Sequence, residues 1–502
     1  MRQDGFLEMG RQGNACLALF LLVLFGSSGP GLADDPGTLA NPPTLKWTTH
    51  ILTADPSHIL LVLPDPVHNA TLLHPDDLGA LFFLDGRDGR VVKELRGLPF
   101  RATEGALIID ANNDERLREL LVMHHSWGLP HLSALELEDG DLVWEWDPSE
   151  PFAGPPVLGP AGEILLLTQG GTVFALRQQG GPPIWSVPGT GNDYIRGSPT
   201  VVTVSAGYGV VAVQSATSQD PNATPRVWVA PPRVRLVLPN GSVPWELPLR
   251  IPDFFPHVTV LPVPESASVL VIDWNLDVQA PNFTAEHKGF LVRVETGEVV
   301  WNASWEGHFL GVPWSASPVP PLPTLLETAV GPVALAPLFT DRLLRLWPAN
   351  GTVHEVESEC EGILGVPFDF EGDGRPELLG TFQNLAGDET GVCVLSAPDG
   401  VRLWNQTLER SYRGDPVLGD VDGDGLPELL TLSDFQGLTV DAFDLTVPTA
   451  ARKPGILWAT VAFLAATAVG TFLGFGWLWR RMGRSRQNTP ESKQGIPPKA
   501  PP

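Results

Sequence analysis

Positive charge is scarce in this chain, where 32 Lys and Arg stand against 58 Asp and Glu and the formal net charge is −26. Residues 1–33 sum to zero and residues 480–502 carry six basic and one acidic residue, which leaves −31 on residues 34–479. A body that acidic argues against nucleic acid or anionic lipid as its partner and suits either plain solubility or calcium-rich surroundings. Cysteine is scarcer still, with three in 502 residues. Cys16 falls in an N-terminal apolar run, leaving Cys360 and Cys393 either to pair in an oxidising compartment or to stay as two buried thiols. Long amphipathic helical periodicity is missing from the middle of the chain, which argues for an all-β body. Catalytic signatures are missing too: there is no Cys–His metal spacing, no Gly-x-Ser-x-Gly and no phosphate-cradling glycine loop, so no enzyme is expected. His124 and His125 are adjacent, so on a strand they face opposite ways and cannot chelate together; they are expected as exposed loop or rim residues.

What the chain has in plenty is turns, with 52 Gly and 51 Pro, and a phrase that recurs. Its clearest copy is Glu295-Thr296-Gly297-Glu298-Val299-Val300-Trp301, a turn ending in Gly, two β-branched residues and a Trp four positions after the Gly. The same phrase turns at Gly89, Gly140, Gly181, Gly241, Gly351 and Gly400, giving seven copies whose glycines lie 51, 41, 60, 56, 54 and 49 residues apart. Trp144, Trp185, Trp245, Trp301 and Trp404 hold the Gly+4 place. Short apolar runs such as Gly79–Leu84, Thr172–Leu176, Gly289–Val294 and Gly391–Leu395 precede the turns. Apolar strand, Gly turn, second strand is the grammar of a hairpin, because Gly accepts the positive φ of a tight turn. A period of 41 to 60 residues makes it a radial array of small sheets.

The two ends place that array. Arg2 and Arg11 precede the apolar run Ala15–Phe25, and small residues follow up to Ala33, the layout of a cleaved signal peptide at 1–33. Residues 455–479 run 25 positions without a charge, with Trp458, Trp477 and Trp479 near the ends and Arg480, Arg481, Arg484 and Arg486 following. That is a membrane-spanning helix with its basic side in the cytosol. The expected organisation is a type I membrane protein: residues 34–454 luminal or extracellular, a span at 455–479 and a disordered cytoplasmic tail at 480–502 offering Ser485, Thr489 and Ser492 for modification. Ala466, Gly470 and Gly474 give the span a small-residue face through which it can oligomerise. Seven Asn-x-Ser/Thr sequons, at Asn69, Asn222, Asn240, Asn282, Asn302, Asn350 and Asn405, all fall in the expected luminal part. Asn240 and Asn350 are turn residues of the repeat, and Asn302 and Asn405 follow its Trp. A glycan needs open surface, so the Trp strand belongs at the outer rim of each sheet.

After Trp404 one more apolar series runs through 415–443 without a final Gly-to-Trp strand, whereas Thr44–Thr48 is a Trp-bearing strand with no sheet before it. If that strand completes the last sheet, the ring closes by joining the two chain ends and leaves no open edge. Seven repeats and one composite then make eight blades; a seven-bladed ring follows instead if the Pro-rich stretch 306–356 does not form a full blade. Over residues 40–447 this organisation resembles the quinoprotein-type β-propellers, a likeness of fold and not of activity.

Two loops have the character of a site: Asp369-Phe-Glu371-Gly-Asp373-Gly-Arg375-Pro-Glu377 and Asp420-Val-Asp422-Gly-Asp424-Gly-Leu426-Pro-Glu428. Acids at places 1, 3, 5 and 9, with a carbonyl at 7, make an oxygen cage for a hard divalent ion such as Ca2+. Without a cation those carboxylates repel one another and raise each other's pKa. The loops resemble the FG-GAP repeats of integrin α-subunit propellers. By that resemblance Asp420, Asp422, Asp424, Glu428 and the Leu426 carbonyl would hold one calcium, and Asp369, Glu371, Asp373, Glu377 and the Arg375 carbonyl another. Glu371 departs from the usual shorter acid or amide. An eroded copy stands at Asp110-Ala-Asn112-Asn-Asp114 with Glu119, and 156–167 keeps only the framework, so the ion is expected to be structural.

The function expected is therefore a calcium-braced propeller on a type I glycoprotein of the cell surface or secretory pathway. It would bind another protein as receptor, adhesion molecule, co-receptor or scaffold. A secretory-pathway assembly factor is the alternative, and a quinone-dependent oxidoreductase a weaker one.

Overall fold

The computed structural model describes residues 43–445 apart from 52–60, 66–68, 77–78, 100–102, 114–118, 127–128, 192–196, 219–227, 251–256, 264–265, 275–283, 309–323, 329–330, 339–341, 359, 361–363, 369–376, 384–389, 397–399, 409–415, 425 and 434–437. The expected signal peptide, span and tail lie outside the described residues, as do Asn222 and Asn282. Among the described residues no helix is long and apolar enough to cross a membrane.

The chain is an all-β propeller. Its described strands form eight four-stranded antiparallel sheets and one two-stranded ribbon, Thr217–Ser218 with Trp228–Ala230. Seven of the sheets follow sequence order, over 61–96, 103–146, 157–187, 200–248, 257–308, 324–357 and 364–408. The eighth is composite, because Thr44–Ile51 pairs with Leu438–Asp444 and so adds a fourth strand to those of 417–444. Residues 324–357 build a full sheet although their Pro-rich approach made that the doubtful unit. First strands of neighbouring sheets lie side by side around the ring, as Leu61–Asp65 does with Thr103–Ile109 and His257–Val263 with Thr324–Thr328. The seam is equally tight. A Cβ on Gly419 of the composite sheet would stand 3.3 Å from Val62 of the first.

The recurring phrase explains how one sheet finds the next. All seven turn glycines have positive φ, between 70° and 91°. At four junctions the Trp of one edge strand reaches forward to the turn of the following sheet, where its indole N–H donates to a main-chain carbonyl and its ring covers a turn Gly. Trp144 donates to the Gln178 carbonyl at 2.7 Å, Trp245 to Val294 at 2.6 Å and Trp301 to Pro348 at 2.6 Å. Trp47 does the same across the seam, donating to the Gly86 carbonyl at 3.0 Å. A Cβ on Gly180, Gly297, Gly351 or Gly89 would drive into the Trp that covers it. Gly is therefore required twice at these places, by the backbone and by the neighbour's indole. Between sheets the core is aliphatic; one cluster joins Trp47, Ala80, Phe82 and Leu84 to Val421, Leu430 and Val440 across the seam.

One sequence expectation is overturned here. His124 and His125 are not on a loop or an exposed rim but inside the strand Glu119–Ser126, with His124 buried and His125 half-buried. That strand is the second of its sheet and is flanked on both sides, Thr103 and His131 being the neighbours of His124. Adjacent polar residues read as loop when the pairing that buries them is not visible in the sequence.

Candidate cation site

The acidic loop 420–428 links the strands Val417–Gly419 and Glu428–Ser433 of the composite sheet. Its carboxylates are held from below by the loop's own backbone. Gly423 N–H donates to Asp420 Oδ1 at 2.7 Å, Asp424 N–H to Asp422 Oδ1 at 2.9 Å and Leu426 N–H to Asp424 Oδ1 at 2.7 Å. Gly423, at φ 78°, supplies the reversal that lets these short bonds form. Glu428 is buried and its Oε2 accepts from Val421 N–H at 2.8 Å, tying the far end of the loop to its start. One carboxylate oxygen each from Asp420, Asp422 and Glu428 lies within 4.8 Å of the others.

Lys46 reaches two of those three acids, Asp422 and Glu428. Its Nζ donates to Asp422 Oδ2 at 2.6 Å, to Asp444 Oδ1 at 2.7 Å and to Glu428 Oε1 at 3.0 Å. A β-bulge puts it there. In the pairing with Leu438–Asp444, Leu45 faces Phe443 and Trp47 faces Ala442, so Lys46 is the extra residue. The same bulge recurs one place before the Gly+4 position in four other edge strands, at Val92, Val143, Val300 and Leu403. Only in the strand that closes the ring is the bulged residue charged, and that strand meets an acidic loop.

The electrostatics follow from the contacts. Burial alone would lower the Lys46 pKa, but its hydrogen bonds to Asp422, Asp444 and Glu428 outweigh that and raise it, so the ammonium stays charged. At Asp422 burial pushes the pKa up, yet Lys46 and the Asp424 N–H win and hold it below the ordinary value. Glu428 goes the other way; burial prevails over the same lysine and raises it. The two acids share one cation and differ because Glu428 is deeper. Arg87, in the turn of the first sheet, adds a second positive charge near Asp422. Hydrogen bonds from Thr48 to Asp441 at 2.6 Å and from Thr49 to the Gly89 carbonyl at 2.6 Å fix the strand just beyond Lys46.

A donor set made of oxygens suits a hard cation. With Lys46 in place, however, Asp422 and Glu428 already face an ammonium. A divalent ion set about 4 Å from it would be repelled by about 8 kcal/mol at an effective dielectric of about 20. The loop thus offers oxygen donors of the kind a hard cation takes, and two of its acids already face the Lys46 ammonium. Sequence reading missed Lys46; the signal available was its place directly before a repeat Trp, where the other copies carry an uncharged residue, Val143, Ile184, Pro244, Val300 or Leu403.

The second loop is less visible. Asp369, Glu371, Asp373 and Arg375 lie outside the described residues, and Glu377 is buried at the start of Glu377–Gln383. In the eroded copy, Ala111 N–H donates to Glu119 Oε2 at 2.8 Å, the same strap as Val421 to Glu428, and Asn113 takes the left-handed conformation of Gly423 with φ 61°. The closing Glu, at the tenth place in this copy, is thus kept for the loop's shape although Asn112 replaces the acid of the third place. Cys360 and Cys393 meet in one buried cluster as thiols, and burial pushes the Cys393 pKa well up. Of the sequons, Asn240, Asn302 and Asn350 are exposed, Asn405 is half-buried and Asn69 opens the strand Asn69–Asp76. A cluster not foreseen joins His131 Nδ1 to Glu145 at 3.0 Å and Asp147 at 2.7 Å on neighbouring strands.

No family model matches the chain, and no curated protein matches it. Solved structures resemble the chain at TM-scores below 0.5. BamB from Moraxella catarrhalis is 11% identical with a TM-score of 0.46 over 80% of this chain and 100% of its own. The quinohemoprotein alcohol dehydrogenase ADHIIG from Pseudomonas putida HK5 is 12% identical with a TM-score of 0.45 over 80% of this chain and 76% of its own. The computationally designed Ika8 protein is 9% identical with a TM-score of 0.49 over 80% of this chain and 99% of its own. At these identities and scores, no activity or partner passes from them to this chain.

Proposed function

We propose that the chain is a single-pass type I membrane glycoprotein whose ectodomain, residues 34–454, is an eight-bladed propeller that binds another protein. In this reading each four-stranded sheet is a blade, calcium is a structural ion of the acidic loop 369–377 and Cys360 pairs with Cys393 in the oxidising lumen. The observation that carries the reading is the placement of all seven sequons between an apolar leader and a charge-free 25-residue run. Support comes from exposed Asn240, Asn302 and Asn350, which stand on edge strands or their turns, where a glycan has room. Calcium is best supported at 369–377, because the bulged residue of that sheet's edge strand is Leu403, which brings no competing charge. Binding is preferred to catalysis because the site singled out by the sequence is a brace within a sheet. A soluble ring displayed outside the membrane serves a receptor, an adhesion molecule or a scaffold equally, and a secretory-pathway assembly factor differs from these only in where the mature chain resides.

The test is glycosidase treatment of the full chain expressed in mammalian cells, combined with surface labelling and cross-linking. The expected result is a mass drop of several glycans and a cross-linked protein partner. An unchanged mass would overturn the topology. Labelling confined to internal membranes would favour the assembly factor.

A further inference from the structure

We propose that Lys46 is the resident cation of the loop 420–428, so that the blade closing the ring is braced by an ammonium from the chain itself and takes no divalent ion while Thr44–Ile51 is latched. Three observations converge on this. The ammonium contacts Asp422, Glu428 and Asp444 at 2.6 to 3.0 Å. It meets Asp422 and Glu428 on one carboxylate oxygen each, while the other oxygen of each accepts a backbone N–H from Asp424 or Val421. And the bulge that aims Lys46 holds Val92, Val143, Val300 and Leu403 in the other edge strands that have it, so the charge belongs to this blade and not to the repeat. An ammonium with three donors satisfies three separate carboxylates, which is what a small ion would otherwise do. The inference draws on the calcium reading for the class of loop, and departs from it on the occupant.

The consequence is a loop whose cation preference depends on a strand from the far end of the chain. Removing the ammonium takes the cation from Asp422 and Glu428 and opens the cage they form with Asp420 to Ca2+. Keeping a positive charge there, as Lys46→Arg does, keeps it closed.

The experiment counts bound Ca2+ per chain by equilibrium dialysis on the purified full-length protein in detergent, for wild type, Lys46→Met, Lys46→Arg, Asp420→Asn and Lys46→Met/Asp420→Asn, with circular dichroism to show that each is folded. Lys46→Met should bind one more ion than wild type. Lys46→Arg and Asp420→Asn should match wild type, and the double variant should lose the gained ion. Equal stoichiometry in wild type and Lys46→Met overturns the proposal, and so does loss of an ion on Asp420→Asn alone, because calcium then sits in the loop with Lys46 present. Wild type binding no ion while Lys46→Met binds one leaves the proposal standing and removes calcium from the reading of the native chain. If Lys46→Met does not fold, wild type against Asp420→Asn decides the matter by the same count.

Discussion

Mild acid should weaken this propeller through two histidines that its sheets keep neutral. His287 lies in a row across three strands, its ring 4.8 Å from that of Trp274 and 5.9 Å from that of Trp305. Burial lowers its pKa to about 4. His124 is lowered to about 4 as well, by burial first and then by the neighbouring His131 and His125. In the unfolded chain both return to the ordinary value of about 6.5. As pH falls the unfolded chain therefore takes up the protons first, and stability present above about pH 6.5 is lost progressively down to about pH 4. Each pKa unit is worth about 1.4 kcal/mol, so each histidine costs about 2 kcal/mol at pH 5 and about 3.4 kcal/mol when its shift is fully expressed. Together they remove about 4 kcal/mol at pH 5, a large part of a typical total of about 5–15 kcal/mol. Asp422 and Glu428 oppose each other in their effect on this profile, because one pKa is lowered and the other raised. Urea unfolding of the full chain, followed by Trp fluorescence at half-unit steps from pH 7 to 5, reads the slope. His287→Phe, which keeps an aromatic ring between the two indoles, should flatten the profile by about 2 kcal/mol over that range. A wild-type profile already flat between pH 7 and 5, or an unchanged slope in His287→Phe, would refute the reasoning.

Gly297→Ala should lower stability by more than about 1 kcal/mol, because φ is +71° there and the new Cβ would stand 2.5 Å from Trp245 Cγ; an unaltered thermal midpoint would remove the double role given to the turn glycines. Trp301→Phe keeps the ring but drops the N–H donated to the Pro348 carbonyl, with an expected cost of about 1 kcal/mol in urea unfolding; no change would mean that the indole acts by packing alone. Deleting residues 34–49 should raise hydrogen exchange selectively in Glu428–Ser433 and Leu438–Asp444 while Ile164–Leu167 and Val173–Leu176 stay protected. Exchange rising instead only across 61–96 would contradict the seam.

Features set by local chemistry could be read directly. The turn glycines were legible because positive φ is a property of one residue, and the composite sheet because a strand without a sheet and a sheet without a strand are both visible as text. The structure extends that strand from the expected Thr44–Thr48 to Ile51. Features set by register could not be read. Whether residue 46 or residue 47 faces the loop depends on one bulge in a pairing between strands almost 400 positions apart. His124 was misplaced for the same reason, since its burial comes from the two strands beside it. The unit 324–357 looked weak because its edge strand lacks the Trp, but the preceding sheet supplies Trp301 to its turn.

The seam has a further consequence in time. The strand that completes the last sheet is made first, and its partners Asp422 and Asp444 are 376 and 398 residues away. At a synthesis rate of about 5–20 residues per second, Thr44–Ile51 waits roughly 20–80 s before Leu438–Asp444 exists to receive it. Through that interval it is an unpaired edge carrying Trp47, open to pairing with other nascent chains. A positive charge on the same strand makes it less adhesive while it waits. Lys46 then becomes the partner of Asp422, Glu428 and Asp444 only when the last of the ring has been synthesised.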